Sequence, residues 1–128
     1  MYKIIALIGQ SGSGKDTILK ELIAAHPDKF HKIVPCTTRP IRENEEHGKS
    51  YFFLTNDEFA LKAKRGEMLE ATAFNGWFYG TSYDSLSEDK INVGVFNPSG
   101  VRGLFRHSDE VDVKIYLIEA SAKKRLLR

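Results

Sequence analysis

The sequence predicts an α/β protein: a parallel sheet flanked by helices, with a small mixed α+β insertion between its two halves. Three observations carry this. Ile4-Ile5-Ala6-Leu7-Ile8 is a near-continuous apolar run of the kind found in strands buried on both faces, and a helical pattern follows it. Ile91 to Phe96 is a second such run, again followed by a helix start. Between them lie short apolar runs, turns and polar loops. Strand–helix units at both ends imply parallel pairing with right-handed crossovers, and they place the insertion over the carboxyl edge of the sheet.

Each element has a local reason. Residues 2–8 read as the buried strand. Residues 15–25 read as a helix with Ile18, Leu19, Leu22 and Ile23 on one stripe, stopped by Pro27. Ile33-Val34-Pro35-Cys36 reads as a short strand, residues 37–50 as a polar loop, and Tyr51 to Leu54 as another short strand. Thr55-Asn56-Asp57-Glu58 is a capping box that opens a helix to about Arg65, where Gly66 ends it. Residues 68–80 read as a hairpin around Asn75-Gly76, a pair suited to a type I′ turn. After the second buried strand, Asn97 is an N-cap and Pro98 the first helical residue. Val113 to Ile118 is the last strand, and Ser121 caps a closing helix.

The bulk properties exclude several classes. A chain of 128 residues suits one domain with a single core. Its 41% apolar and 28% charged residues are those of a globular protein. A net charge of +2 is too small to imply nucleic acid or a membrane surface as a bulk partner. No apolar run approaches the ~20 residues of a membrane span, and because the N-terminus leads straight into a strand, no signal peptide is expected. The single cysteine, Cys36, permits no internal disulfide, so a cytoplasmic setting is expected. Cys36 reads as a packed small side chain, and the four histidines lack metal-site spacing.

Gly9-Gln10-Ser11-Gly12-Ser13-Gly14-Lys15-Asp16-Thr17 joins the first strand to the first helix. Glycines let a backbone curl its N–H groups inward into an anion-sized nest. Lys15 adds a mobile charge that reaches β- and γ-phosphates, and the helix start adds the positive end of its dipole. Gly9, Ser11, Gly12, Ser13, Gly14 and Lys15 therefore form a candidate nucleotide phosphate site, a phosphate loop. Such a loop ordinarily has Ser or Thr after its lysine to hold Mg²⁺. Here Asp16 and Thr17 are the candidate Mg²⁺ ligands.

A second constellation lies between Cys36 and Tyr51. Arg39 and Arg42, three residues apart on a loop, offer planar forks suited to phosphate oxygens, and Tyr51 adds a hydroxyl. Alone, this loop reads better as a solvated charged segment.

Taken in order, the phosphate loop, Thr37-Thr38-Arg39-Pro40-Ile41-Arg42, Gly48-Lys49-Ser50-Tyr51-Phe52-Phe53, Met68-Leu69-Glu70 and Tyr79-Gly80-Thr81 make the chain resemble the guanylate kinase family. The spacing agrees without gaps from Thr37 through Thr81. The resemblance implies a phosphate-loop NTPase fold. It also implies transfer of the ATP γ-phosphoryl group to GMP (or dGMP), giving ADP and GDP with Mg²⁺. It implies that Arg39, Arg42, Tyr51 and Tyr79 hold the acceptor phosphate. Glu70 would accept from guanine N1–H and the 2-amino group, and Thr81 would contact O6. A carboxylate facing two N–H donors rejects adenine, which would leave buried polar groups unpaired. Lys15, Arg39, Arg42 and Arg125, the last where a lid arginine is expected, would neutralise charge during transfer. Arg128 is a possible second lid arginine, one residue closer than usual. The implied layout is one domain over 1–128, with a core of 1–34 and 83–128 and an acceptor-binding insertion of 35–82. Against the family pattern, the rest of the lid and the final helix are expected to be absent from these 128 residues.

The chain departs from the family at several positions. Val95 and Asn97 stand where acids are usual, and Asn97 is kept as a candidate acceptor contact. Asp16 is a candidate replacement for the lost charge. Pro35 and Asn44 replace a serine and a glycine. These changes leave room for another phosphorylated acceptor, such as a different deoxynucleoside monophosphate or a ribose bisphosphate. A nucleotide-binding fragment without turnover also stays open, as does a non-catalytic protein-binding module, although such modules lose the phosphate loop that is intact here.

Overall fold

A computed structural model describes residues 1–9 and 14–118. The first apolar run forms strand β1 (Tyr2–Ile8), and strict alternation along it divides the core. Ile4 and Ala6 face one side, with Val101, Leu104 and Val111. Leu7 faces the other, with Leu19 and Val93. Helix α1 (Lys15–Ala25) covers this second side with the predicted stripe of Ile18, Leu19, Leu22 and Ile23. Helix α3 (Pro98–Phe105) covers the first. Strands β2 (Phe30–Lys32), β7 (Ile91–Val95) and β8 (Val111–Leu117) complete an all-parallel sheet in the order β2-β7-β1-β8. Helices on both faces of a parallel sheet give the predicted α/β class.

A second sheet has the order β4-β3-β6-β5. It comprises β3 (Cys36–Thr37), β4 (Phe52–Phe53), β5 (Met68–Phe74) and β6 (Trp77–Ser82). Strands β3 and β4 pair in parallel, while β3–β6 and β5–β6 are antiparallel. The β5–β6 turn has Asn75 at φ 51° and Gly76 at φ 84°, the two left-handed residues a type I′ turn needs. Helix α2 (Asn56–Lys64) has the full reciprocal capping box between Thr55 and Glu58. The Leu69 side chain of β5 joins the core cluster of Ile4 and Leu104, so the two sheets share one apolar interior.

Two sequence expectations are corrected. No strand spans 33–36: β2 lies earlier, at Phe30–Lys32, where none was expected, and β3 begins only at Cys36. Ile33 still donates to Val93 O, but Pro35 has no N–H to give and offers only its carbonyl, to Phe52 N. The chain therefore leaves the first sheet before Pro35 and enters the second at Cys36. Strand β8 starts at Val111 rather than Val113, because Val111 pairs with Tyr2 although the polar Asp112 breaks the apolar run. A 3-10 turn at Tyr83–Ser85, closed by Ser85 Oγ donating to Ser82 O, carried no recognised pattern. The closing helix capped by Ser121 lies outside the described residues.

Buried Asn92 shows how the first sheet is tied at its base. Its amide donates to Lys3 O and Ser87 O and accepts from Ser87 N, so its polar atoms are paired.

Candidate functional site: a phosphate loop and an acceptor cleft

The first cluster stands where β1 ends and α1 begins. Gly14 is the residue before α1, with φ 94°, a left-handed conformation that favours glycine. Lys15 Nζ donates back to Gly9 O, closing the loop across its two described ends. Asp16 lies in the first turn of α1, and both it and Thr17 are exposed. Ser11, Gly12 and Ser13 lie outside the described residues, as do Arg125 and Arg128.

Among the described residues there is no group of three His, Cys, Asp or Glu side chains that could hold a metal ion. Asp16 and Thr17 supply only one carboxylate and one hydroxyl. That is a hard-oxygen donor set, suited to a cation that keeps waters and takes its remaining oxygens from substrate phosphates, as Mg²⁺ does. Val95, exposed at the end of β7, offers no ligand.

The second cluster is a cleft between the two sheets. Five of the predicted acceptor residues line it: Tyr51, Glu70, Tyr79, Thr81 and Asn97. Ile33, Pro35, Gly80 and Gly100 are also part of its walls. The β5–β6 register sets Glu70 opposite Thr81, so both side chains share one face. Thr81 Oγ1 donates to Glu70 Oε1 at 2.8 Å. A register irregularity between Met68 and Glu70 turns Leu69 into the core while Glu70 faces the cleft. Gly80 is needed here, since a Cβ on it would stand 2.9 Å from Glu70 O.

Helix α3 closes over Glu70. A Cβ on Gly103 would lie 2.8 Å from Glu70 Cβ, and one on Gly100 would lie 3.4 Å from Glu70 Oε2. Burial raises the Glu70 carboxyl from near 4.5 to about 7, against the opposing pull of the Thr81 hydrogen bonds. Asn97 keeps its predicted cap role: its Oδ1 accepts from Gly100 N at 2.7 Å.

The arginine loop is pinned to the hairpin by its two threonines. Thr37 Oγ1 donates to Phe78 O, and Thr38 Oγ1 accepts from Phe78 N, each at 2.9 Å. Arg39 is buried, with its guanidinium carbon 5.2 Å from the Tyr51 ring centroid. The Tyr51 and Tyr79 ring centroids are 6.0 Å apart. The structure thus gathers Arg39, Tyr51 and Tyr79. The Arg42 side chain is exposed, and neither arginine lines the cleft wall. Burial raises the Tyr51 hydroxyl pKa. Cys36 is buried and free, and burial pushes its thiol up to about 11, which makes it a packed residue and not a nucleophile.

Sequence reasoning missed one member of this group. Glu45 makes a two-bond pair with Arg39, at 2.9 and 2.7 Å, and accepts from Arg42 N at 2.9 Å. The available signal was an acid three residues after Arg42, close enough to turn back onto its backbone.

Residues 1–92 match the family model described as guanylate kinase. The guanylate kinase of Thermotoga maritima is 44% identical over 92 residues, which are 72% of this chain and 44% of that protein. That of Streptococcus agalactiae is 36% identical over 116 residues, covering 89% of this chain and 55% of that protein. The chain spans about half the length of the curated relatives it matches. A crystal structure of guanylate kinase from Anaplasma phagocytophilum superposes with a TM-score of 0.69 at 23% identity. It covers 91% of this chain and 60% of that one, a likeness of fold. No helix among the described residues is long and apolar enough to cross a membrane.

Proposed function

The chain belongs to the guanylate kinase family, and on that premise we propose that it binds ATP and GMP and transfers the γ-phosphoryl group between them. The observation that carries the reading is the Glu70–Thr81 pair in the cleft, which Tyr51, the ring over Arg39, also lines. When ionised, Glu70 offers two oxygens to the N1–H and 2-amino group of guanine. Adenine presents an acceptor at N1 and no 2-amino donor, so it leaves that carboxylate unpaired. Thr81 has one hydroxyl proton, and in this structure Glu70 receives it. Contact of Thr81 with guanine O6 as a donor therefore requires the hydroxyl to turn. Asn97 is a further acceptor contact through its amide nitrogen, because its oxygen caps α3.

At the other end of the acceptor, Arg39, Arg42, Tyr51 and Tyr79 take the phosphate. An oxygen of that phosphate attacks the γ-phosphorus of ATP. The bond from the γ-phosphorus to the β–γ bridging oxygen breaks, and ADP leaves with that oxygen. The reaction is mostly positioning and charge neutralisation. Gly9, Ser11, Gly12, Ser13 and Gly14 hold the ATP phosphates, and Lys15 turns from Gly9 O toward them. Arg125 is assigned a lid role. Asp16 and Thr17 would hold Mg²⁺, which supplies charge neutralisation on the phosphate oxygens. Residence in the cytoplasm belongs to the same reading and rests on the lone unpaired cysteine.

Calorimetric titration with GMP and with AMP tests the proposal. GMP binds, AMP does not, and Glu70→Ala abolishes the GMP heat. Equal binding of the two nucleotides would sink the guanine assignment.

A further inference from the structure

One carboxylate organises both arginines of the acceptor loop. Arg39 has five N–H donors. Nη1 donates to Glu45 Oε1 at 2.9 Å and to Pro40 O at 3.2 Å, and Nη2 donates to Glu45 Oε2 at 2.7 Å. The same Glu45 Oε1 accepts the backbone N–H of Arg42 at 2.9 Å. One acid therefore fixes the side-chain plane of the first arginine and the backbone of the second. The Arg39 and Glu45 side chains are only 6% and 17% exposed, so water screens this pair far less than a surface pair. The Tyr51 and Phe53 rings, with centroids 5.2 and 5.8 Å from the guanidinium carbon, flank it and limit its rotation.

We propose that Glu45 is a positioning residue for the acceptor phosphate, holding Arg39 so that its second edge stays free for the phosphate. A guanidinium has more than one edge that can grip an anion. Glu45 takes one. The guanidinium lies against the Tyr51 ring, and Tyr51 and Tyr79, with ring centroids 6.0 Å apart, are both on the cleft wall. A guanidinium without Glu45 would be drawn to whatever acceptor lay near, and its remaining edge would point nowhere in particular. The competing role for Glu45 is that of a stand-in anion that the phosphate must displace. The two roles predict opposite signs. Loss of a positioning acid weakens phosphate binding, and loss of a stand-in tightens it.

The role rests on the reading of the cleft as the site of a phosphorylated acceptor. The test is calorimetric titration of the wild type and Glu45→Gln with GMP and with guanosine, which lacks the phosphate, alongside a thermal melt of each protein. Glu45→Gln is expected to weaken GMP about tenfold and to leave guanosine unchanged. Unchanged or tighter GMP binding overturns the role, as does an equal loss for guanosine. Glu45→Asp keeps the charge on a stem one methylene shorter, which cannot reach both Arg39 and Arg42 N. It is expected to show the same selective loss, and it serves if Glu45→Gln fails to melt cooperatively. Loss of the melt in both variants would make Glu45 a purely structural residue and overturn the role. A wild type that binds GMP no better than guanosine sinks the phosphate site itself. A wild-type preference for GMP that persists in the variants sinks Glu45 alone.

Discussion

Glu70 is the residue whose chemistry depends most on its surroundings. Its carboxyl, raised to about 7 by burial under α3, is protonated in the folded chain over a range where the unfolded chain has already released its proton. The folded state therefore binds more protons between pH 4.5 and about 7, and stability falls as pH rises through that window. Glu70→Gln removes the titration. Urea melts at pH 5 and pH 8 are expected to differ for the wild type by on the order of 3 kcal/mol more than for the variant. An equal difference in both would show that Glu70 is not desolvated. Guanine needs the ionised form, so GMP affinity is expected to fall below pH 7 in the wild type, by about tenfold per unit. At this scale the sequence was informative about identity and silent about environment. Glu70 and Thr81 were legible as a pair, through a spacing and a resemblance. The hydrogen bond between them and the burial that shifts the carboxyl depend on α3, which lies some thirty residues further on.

At the scale of elements, local signals were reliable where the chain determines its own geometry. The Thr55 capping box, the Asn75-Gly76 turn and the Asn97-Pro98 helix start were all visible, because each is satisfied by atoms within a few residues. The signals failed where pairing partners decide. Pro35 marks the passage between two sheets, and nothing near it in sequence says so. Val111 belongs to β8 because Tyr2 lies beside it. The approach of α3 to β5 was likewise hidden, since a glycine at a helix contact looks like any other glycine. That contact yields a sharp expectation. Gly103→Ala puts a methyl group 2.8 Å from Glu70 Cβ. Despite the better helix propensity of alanine, the variant is expected to lose about 1–3 kcal/mol in chemical denaturation. It should also lose affinity for GMP, as Glu70 is pushed from its place. A variant as stable as the wild type would show that the helix moves aside freely.

For the whole molecule, the two candidate ligand sites stand on different supports. The phosphate loop hangs from β1 and α1 in the parallel sheet, and the Glu70–Thr81 pair belongs to the mixed sheet. Lys15→Ala is therefore expected to reduce ATP binding at least tenfold while leaving GMP binding within experimental error. Titration of the variant with each nucleotide in turn checks this, and a matching loss for GMP would mean that the two sites communicate in the free chain. The order of the motifs along the chain was enough to set the phosphate loop at the β1–α1 junction and the Glu70–Thr81 pair in the insertion. The shared interior was not foreseeable, because it depends on which way Leu69 turns at the irregularity beside Glu70. That side chain has a further meaning for anyone who would reprogramme the acceptor. With Leu69 lodged among Ile4 and Leu104, the acceptor sheet is not a detachable cassette. A graft that brought in a new base reader without an apolar plug of similar size would leave a hole beside Glu70, so new specificity has to be written on top of Leu69 and not in place of it.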